Sequence, residues 1–92
     1  MTELSSSRDL HPEGGGRFVF ERVGDELRYR VSVYLPEQRS WSGELDWVEG
    51  QARVLGSEPE GDAQLEWARA ELLKLARVLH REPKPRLVRW RG

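Results

Sequence analysis

Hydrophobic positions in this chain keep a period of two from Phe18 to Val54 and switch to a helical period after Asp62. Turn-forming residues break the alternating part into four segments. Residues 17–23 and 26–35 read as strands joined by Gly24-Asp25, and residues 41–48 and 51–55 as strands joined by Glu49-Gly50, with 36–40 as the loop between the hairpins. Two-residue loops pair Val23 with Glu26, Arg22 with Leu27, Phe20 with Tyr29, Phe18 with Val31, Trp47 with Ala52 and Leu45 with Val54. Placing Leu35 beside Trp41 then yields two apolar rows, Phe18–Val31–Leu45–Val54 and Phe20–Tyr29–Trp47–Ala52. On the other face Glu21 falls opposite Arg28, and Asp46 sits between Arg30 and Arg53. A slip of one residue would scatter both sets, so the sidedness is strongly specified.

Residues 62–81 carry the helical pattern. Leu65, Ala68, Leu72, Leu75, Ala76 and Leu79 fall within an arc of about 100°, the width of a core-facing stripe. Glu66, Lys74, Arg77 and Arg81 lie opposite, Trp67 and Val78 border the stripe, and Leu73 is an apolar misfit among polar neighbours. Asp62 can cap the first turn, the acids Glu58, Glu60 and Glu66 suit the dipole there, and Lys74, Arg77, His80 and Arg81 suit the other end. Pro83 stops the helix near Arg81.

A sheet with one apolar face followed by a one-faced helix predicts an α+β, two-layer sandwich: a four-stranded antiparallel meander with the helix packed on one side. Residues 1–16, with three serines, Pro12 and a Gly14-Gly15-Gly16 run, read as a disordered leader. Residues 17–82 form the single domain. Residues 83–92 are a basic tail with two readings, a fifth strand at a sheet edge or a mobile end, the strand preferred because Val88 and Trp90 would otherwise be exposed. The strand–strand–strand–strand–helix order of residues 17–81 resembles that of the Whirly and Pur single-strand-binding domains, which pair their units and lay nucleic acid on sheets. That resemblance implies a nucleic-acid partner.

Composition narrows the chemistry. With 92 residues and no cysteine, disulfides, thiolate catalysis and cysteine-bound metals are excluded. No apolar run reaches the length of a membrane span, and a cytoplasmic protein without a membrane partner is expected. Net charge is −1, yet residues 77–92 hold six Lys/Arg against one acid. The glycine run lacks the strand before it and the Lys-Ser/Thr after it that a phosphate loop needs. Glu58, Glu60 and Asp62 alternate like the start of a calcium loop, without its later ligands. Glu44 and Asp46 share a strand face about 7 Å apart, but arginines flank Asp46. The two histidines, His11 and His80, are far apart in the chain. No catalytic, cofactor-binding or metal-binding set is predicted.

Two surfaces are candidates for binding. The first is a protein interface, for a partner or a second copy, built from Trp67 and Leu73 beside the helix stripe and Val19, Tyr34, Val48 and Leu55 on the outer sheet face; four tryptophans exceed what so small a core readily hides. The second is a single-stranded nucleic-acid contact at the basic end: Arg77, Arg81, Lys84, Arg86, Arg89, Trp90 and Arg91, where arginines alternate with a stacking ring. A small apolar ligand between helix and sheet is a third arrangement compatible with the pattern.

Overall fold

Five strands and one helix follow in the order β1 (Gly16–Arg22), β2 (Arg28–Leu35), β3 (Arg39–Val48), β4 (Gln51–Leu55), α1 (Ala63–Arg81) and β5 (Arg86–Arg91) in a computed structural model that describes residues 14–92. Most of the expected leader therefore lies outside the described residues, and its last glycine opens β1. All strands pair antiparallel in the order β4-β3-β2-β1-β5. The meander and the C-terminal edge strand both form, and α1 lies on one face.

The 3–4 hairpin has the expected register, with Trp47 opposite Ala52 and Leu45 opposite Val54. The other two joints sit two residues from expectation. Phe20 faces Val31 and Phe18 faces Val33, while Trp41 faces Val33 rather than Leu35. The reason lies in the loops. At Gly24-Asp25 only Gly24 has a positive φ, 70°, and the two-residue turn does not close. The loop widens instead: Val23 N–H donates to Arg28 O at 2.8 Å, and the Arg22 guanidinium bonds the carbonyls of Asp25 and Glu26. Between β2 and β3 three residues turn the chain, with Glu37 and Gln38 both at φ 62°. A shift of two preserves which face each side chain takes, so the apolar set is unchanged although its rows differ.

Those rows run Arg89–Phe18–Val33–Trp41, Leu87–Phe20–Val31–Gly43 and Tyr29–Leu45–Val54. Gly43 leaves a gap, and the Trp41 ring folds along its own strand to fill it: a Cβ at Gly43 would stand 2.7 Å from that ring. Trp41 is then held by its indole N–H donating to Ser57 O at 3.2 Å.

Ala68, Leu72, Leu75, Ala76 and Leu79 of α1 are buried against Phe18, Phe20, Tyr29, Val31, Val33, Leu35, Leu45 and Leu87. Leu65, Trp67 and Leu73 pack partly buried at the margins. Trp67 meets Phe18 edge-on at 6.0 Å, and Trp47 meets Tyr29 at 5.8 Å. Each buried leucine contributes about 1.5–3 kcal/mol, whereas an exposed ion pair contributes about 0–1 kcal/mol. The apolar seam, not the surface charge, holds the layers together.

At its start α1 is capped by Asp62, whose carboxylate accepts from Leu65 N–H at 3.0 Å. At its end Glu82 N–H closes on Val78 O, and Pro83 follows. A 19-residue helix is roughly 28 Å long, and five strands span roughly 19 Å. Trp67, near its start, lies by Phe18, Gly15 and Gly92 at the ends of β1 and β5, whereas Leu73 and Arg77 line a cleft with residues 50–52 and His80 meets Trp47. Residues 82–85 then pass the Tyr29 hydroxyl to reach β1, where β5 pairs.

Candidate binding surface

Side-chain alternation along β5 decides what becomes of the basic end. Leu87 turns inward and is buried, so Arg89 and Arg91 share the helix side, while Arg86, Val88 and Trp90 face outward. The buried apolar residue of the tail is thus Leu87, not the expected Val88–Trp90 pair: Val88 is half-buried and Trp90 is 56% exposed.

The predicted nucleic-acid residues consequently do not share one surface. Arg77 lines a cleft of about 310 Å³ with Gly50, Gln51, Ala52 and Leu73. Arg81 lies beside Val78 and Glu82 at the helix end. Lys84 approaches Glu82 at 3.7 Å, Arg86 approaches Glu21 at 3.5 Å, and Arg91 approaches Glu71 at 3.7 Å. Arg89 donates to Val88 O at 2.9 Å. Only Arg86 and Trp90 join the outer face of the sheet.

On that face they meet residues from distant parts of the chain. The register places Trp90, Arg17, Tyr34 and Ser40 in one row across four strands, and Val88, Val19, Ser32 and Ser42 in the next. The Arg17 guanidinium stands between two rings, 5.5 Å from the Tyr34 centroid and 5.6 Å from that of Trp90. Such contacts hold a cation in place while leaving its edge free to donate. A third row holds Arg86, Glu21, Arg30, Glu44 and Leu55, and a fourth Arg28, Asp46 and Arg53. Arg28, not Arg30, is therefore the cross-strand neighbour of Asp46, a consequence of the shifted joint. Arg28 bonds Glu44 through Nε at 2.9 Å, and Arg53 grips Asp46 with two bonds of 3.1 and 3.0 Å. The Arg53 hydrogen bonds hold the Asp46 carboxyl below its ordinary range, and raise the arginine correspondingly.

Five arginines thus stand against three carboxylates on this face. With Glu21, Glu44 and Asp46 each engaged, the surplus lies at Arg17 and Arg30, and Arg30 makes no ion pair among the described residues.

Of the expected protein-interface residues, Tyr34 is half-buried in the stacked row, and Val48 (47% exposed) and Leu55 lie at the far end of the same face. Val19 is 7% exposed, because β5 lays Val88 beside it, and so offers little surface. Trp67 and Leu73 belong to the rims of the helix layer. Trp67 lines a shallow cleft of about 370 Å³ with Gly15, Ala63, Gln64 and Gly92. Gly15 is there for fit: at φ 68°, a Cβ would stand 1.8 Å from Arg91 O. Arg17 escaped the sequence reading because nothing local marks it. Its importance comes from two strand pairings that bring Trp90 and Tyr34 to either side.

No cluster of three or more His, Asp or Glu suited to a metal ion occurs among the described residues, and no helix there is long and apolar enough to cross a membrane. Comparison with known proteins finds no matching family model, curated protein or solved structure.

Proposed function

We propose that this chain is a non-enzymatic protein-interaction module that docks its partner at the β1–β5 side of the open outer sheet face. One observation carries the reading: the Arg17 guanidinium held between Tyr34 and Trp90 on a face that no helix among the described residues covers. Tyrosine, tryptophan and arginine are the side chains that dominate binding energy at protein interfaces. Here all three stand on a rigid sheet, so little rotamer freedom is lost on docking. Val88 and the short serines Ser32 and Ser42 flank the row with low relief.

The test is partner capture from nuclease-treated lysate. Trp90→Ala and Arg17→Ala should each lose most of the protein recovered by the native chain, and Glu66→Ala, on the solvent side of α1, should lose none. Unchanged recovery with the first two variants would count decisively against the outer face. Self-association is read separately, by sedimentation over a concentration series.

The same stack supports a second reading, a single-stranded nucleic-acid platform, since bases stack on aromatic rings and on guanidinium planes. The small surplus of positive charge favours the protein reading, because phosphate tracking needs several uncompensated cations. Tryptophan fluorescence titrated with oligothymidine at low salt discriminates: strong quenching, lost in Trp90→Ala, selects nucleic acid.

A further inference from the structure

Main-chain geometry at the sheet edge extends the protein-interaction reading, on which the following rests. Arg22 N–H donates to Pro85 O at 2.9 Å. Main-chain groups of an antiparallel strand alternate between its two sides. Leu87, Arg89 and Arg91, in step with Pro85, therefore direct their N–H and C=O groups at β1. Those of Arg86, Val88 and Trp90 point away from β1, to an edge where no further strand pairs among the described residues. The bond from Arg89 to Val88 O agrees with this, since that carbonyl lies on the side away from β1.

We propose that this edge takes an extended, acidic segment of a partner protein as a sixth strand. Strand addition draws its affinity from main-chain hydrogen bonds and its specificity from alternate side chains. The side chains here are Arg86, Leu87, Val88, Arg89, Trp90 and Arg91: three arginines and no acid. Carboxylates opposite Arg89 and Arg91 on the helix side, with apolar residues opposite Val88 and Trp90 on the outer side, form a complementary strand. The existing partners do not compete strongly. Glu21 and Glu71 stand at the long distances of 3.5 and 3.7 Å from Arg86 and Arg91, the first pair exposed on both sides, and Arg89 has no ion pair among the described residues. A second copy of β5 is a poor occupant, because it brings three more arginines and no carboxylate to the joint, and like charges across strands are destabilising. The β4 edge has no such preference, its single arginine, Arg53, being committed to Asp46.

The experiment is an amide NMR titration of the full chain with a short synthetic peptide alternating glutamate and valine, at low salt. Binding should shift the amides of Arg86, Val88 and Trp90 and slow their hydrogen exchange, with affinity falling as salt is raised. Arg89→Glu, which leaves the backbone alone, should abolish that protection, as should Val88→Pro, which deletes an edge-facing donor. If the peptide leaves those amides unprotected, or protects them equally in Arg89→Glu, the proposal is overturned. It is equally overturned if the edge is occupied by a second copy without peptide, or if only oligothymidine perturbs Trp90. Should partner capture depend on Trp90 and Arg17 while the edge amides stay exposed, the interaction-module reading survives and the sixth strand does not.

Discussion

Single residues tie this fold at points where two distant segments meet, and Asp62 is the clearest. Its carboxylate caps α1 through Leu65 N–H at 3.0 Å and also receives Arg39 at 2.8 Å. The Leu65 bond first, and Arg39 after it, pull the Asp62 carboxyl below its ordinary range. A carboxyl depressed in the folded state adds stability above its unfolded value, about 3.9, and loses it as pH falls through the folded value. Thermal melts at neutral pH should therefore rank native above Asp62→Asn, which keeps a capping oxygen, and Asp62→Asn above Asp62→Ala. In strong acid the native chain and Asp62→Asn should converge. A gap between them that persists unchanged in acid would show that the charge is irrelevant. Tyr29 ties the other end: its buried hydroxyl donates to Lys84 O at 2.6 Å and accepts from Lys84 N–H at 3.2 Å. Tyr29→Phe strands both main-chain groups and should cost about 1–3 kcal/mol, read from urea melts. The cap was legible in the sequence because it is local. Arg39 reaching Asp62, and Tyr29 reaching Lys84, were not, since each depends on how intervening loops fold.

For elements, the period-two pattern determines a face but not a row. Phe18, Phe20, Tyr29, Val31, Val33 and Leu35 all face α1 as their alternation requires, yet two of three joints stand two residues from the tight-turn expectation. Parity is enforced by burial, because a one-residue slip would expose the apolar set. A two-residue slip costs only turn energy and particular contacts, so turn chemistry decides it. Gly24-Asp25 widens, whereas Glu49-Gly50 holds, with φ values of 54° and 82°. Glu49 is a non-glycine residue in left-handed backbone, a conformation that asparagine tolerates better. Glu49→Asn should therefore raise stability by about 0.5 kcal/mol without moving the Trp47–Ala52 pair. A lower urea midpoint, or altered cross-strand contacts between those residues in NMR, would show that Glu49 contributes something its backbone does not reveal.

At the scale of the whole molecule, residues 82–85 carry the chain from the end of α1 past the Tyr29 hydroxyl to β1, at the edge farthest from β4. Neither the destination nor its effect was readable from residues 83–92, since the choice of edge depends on contacts with residues far away in the chain, Tyr29 with Lys84 and Arg22 with Pro85. The arrival of β5 does three things at once. It buries Leu87 beside Phe20, covers the edge of β1, and sets Trp90 next to Arg17. A basic tail that looked like one surface is thereby divided between two faces, and an aromatic–cation row assembles from strands that are first, second and last in the chain. Core and proposed binding surface consequently share one element, so removing it should damage both. A chain ending at Arg81 loses the Tyr29–Lys84 latch and the Leu87 contact, and leaves β1 as an unpaired, largely apolar edge of the kind that pairs with other chains. It should unfold at lower urea than the full chain and associate with rising concentration in sedimentation. Trp90→Ala in the full chain should do neither, because that ring lies mostly in solvent. If the truncated chain remains monomeric and equally stable, β5 is an appendage rather than a wall of the domain, and the row built on it is no fixed platform.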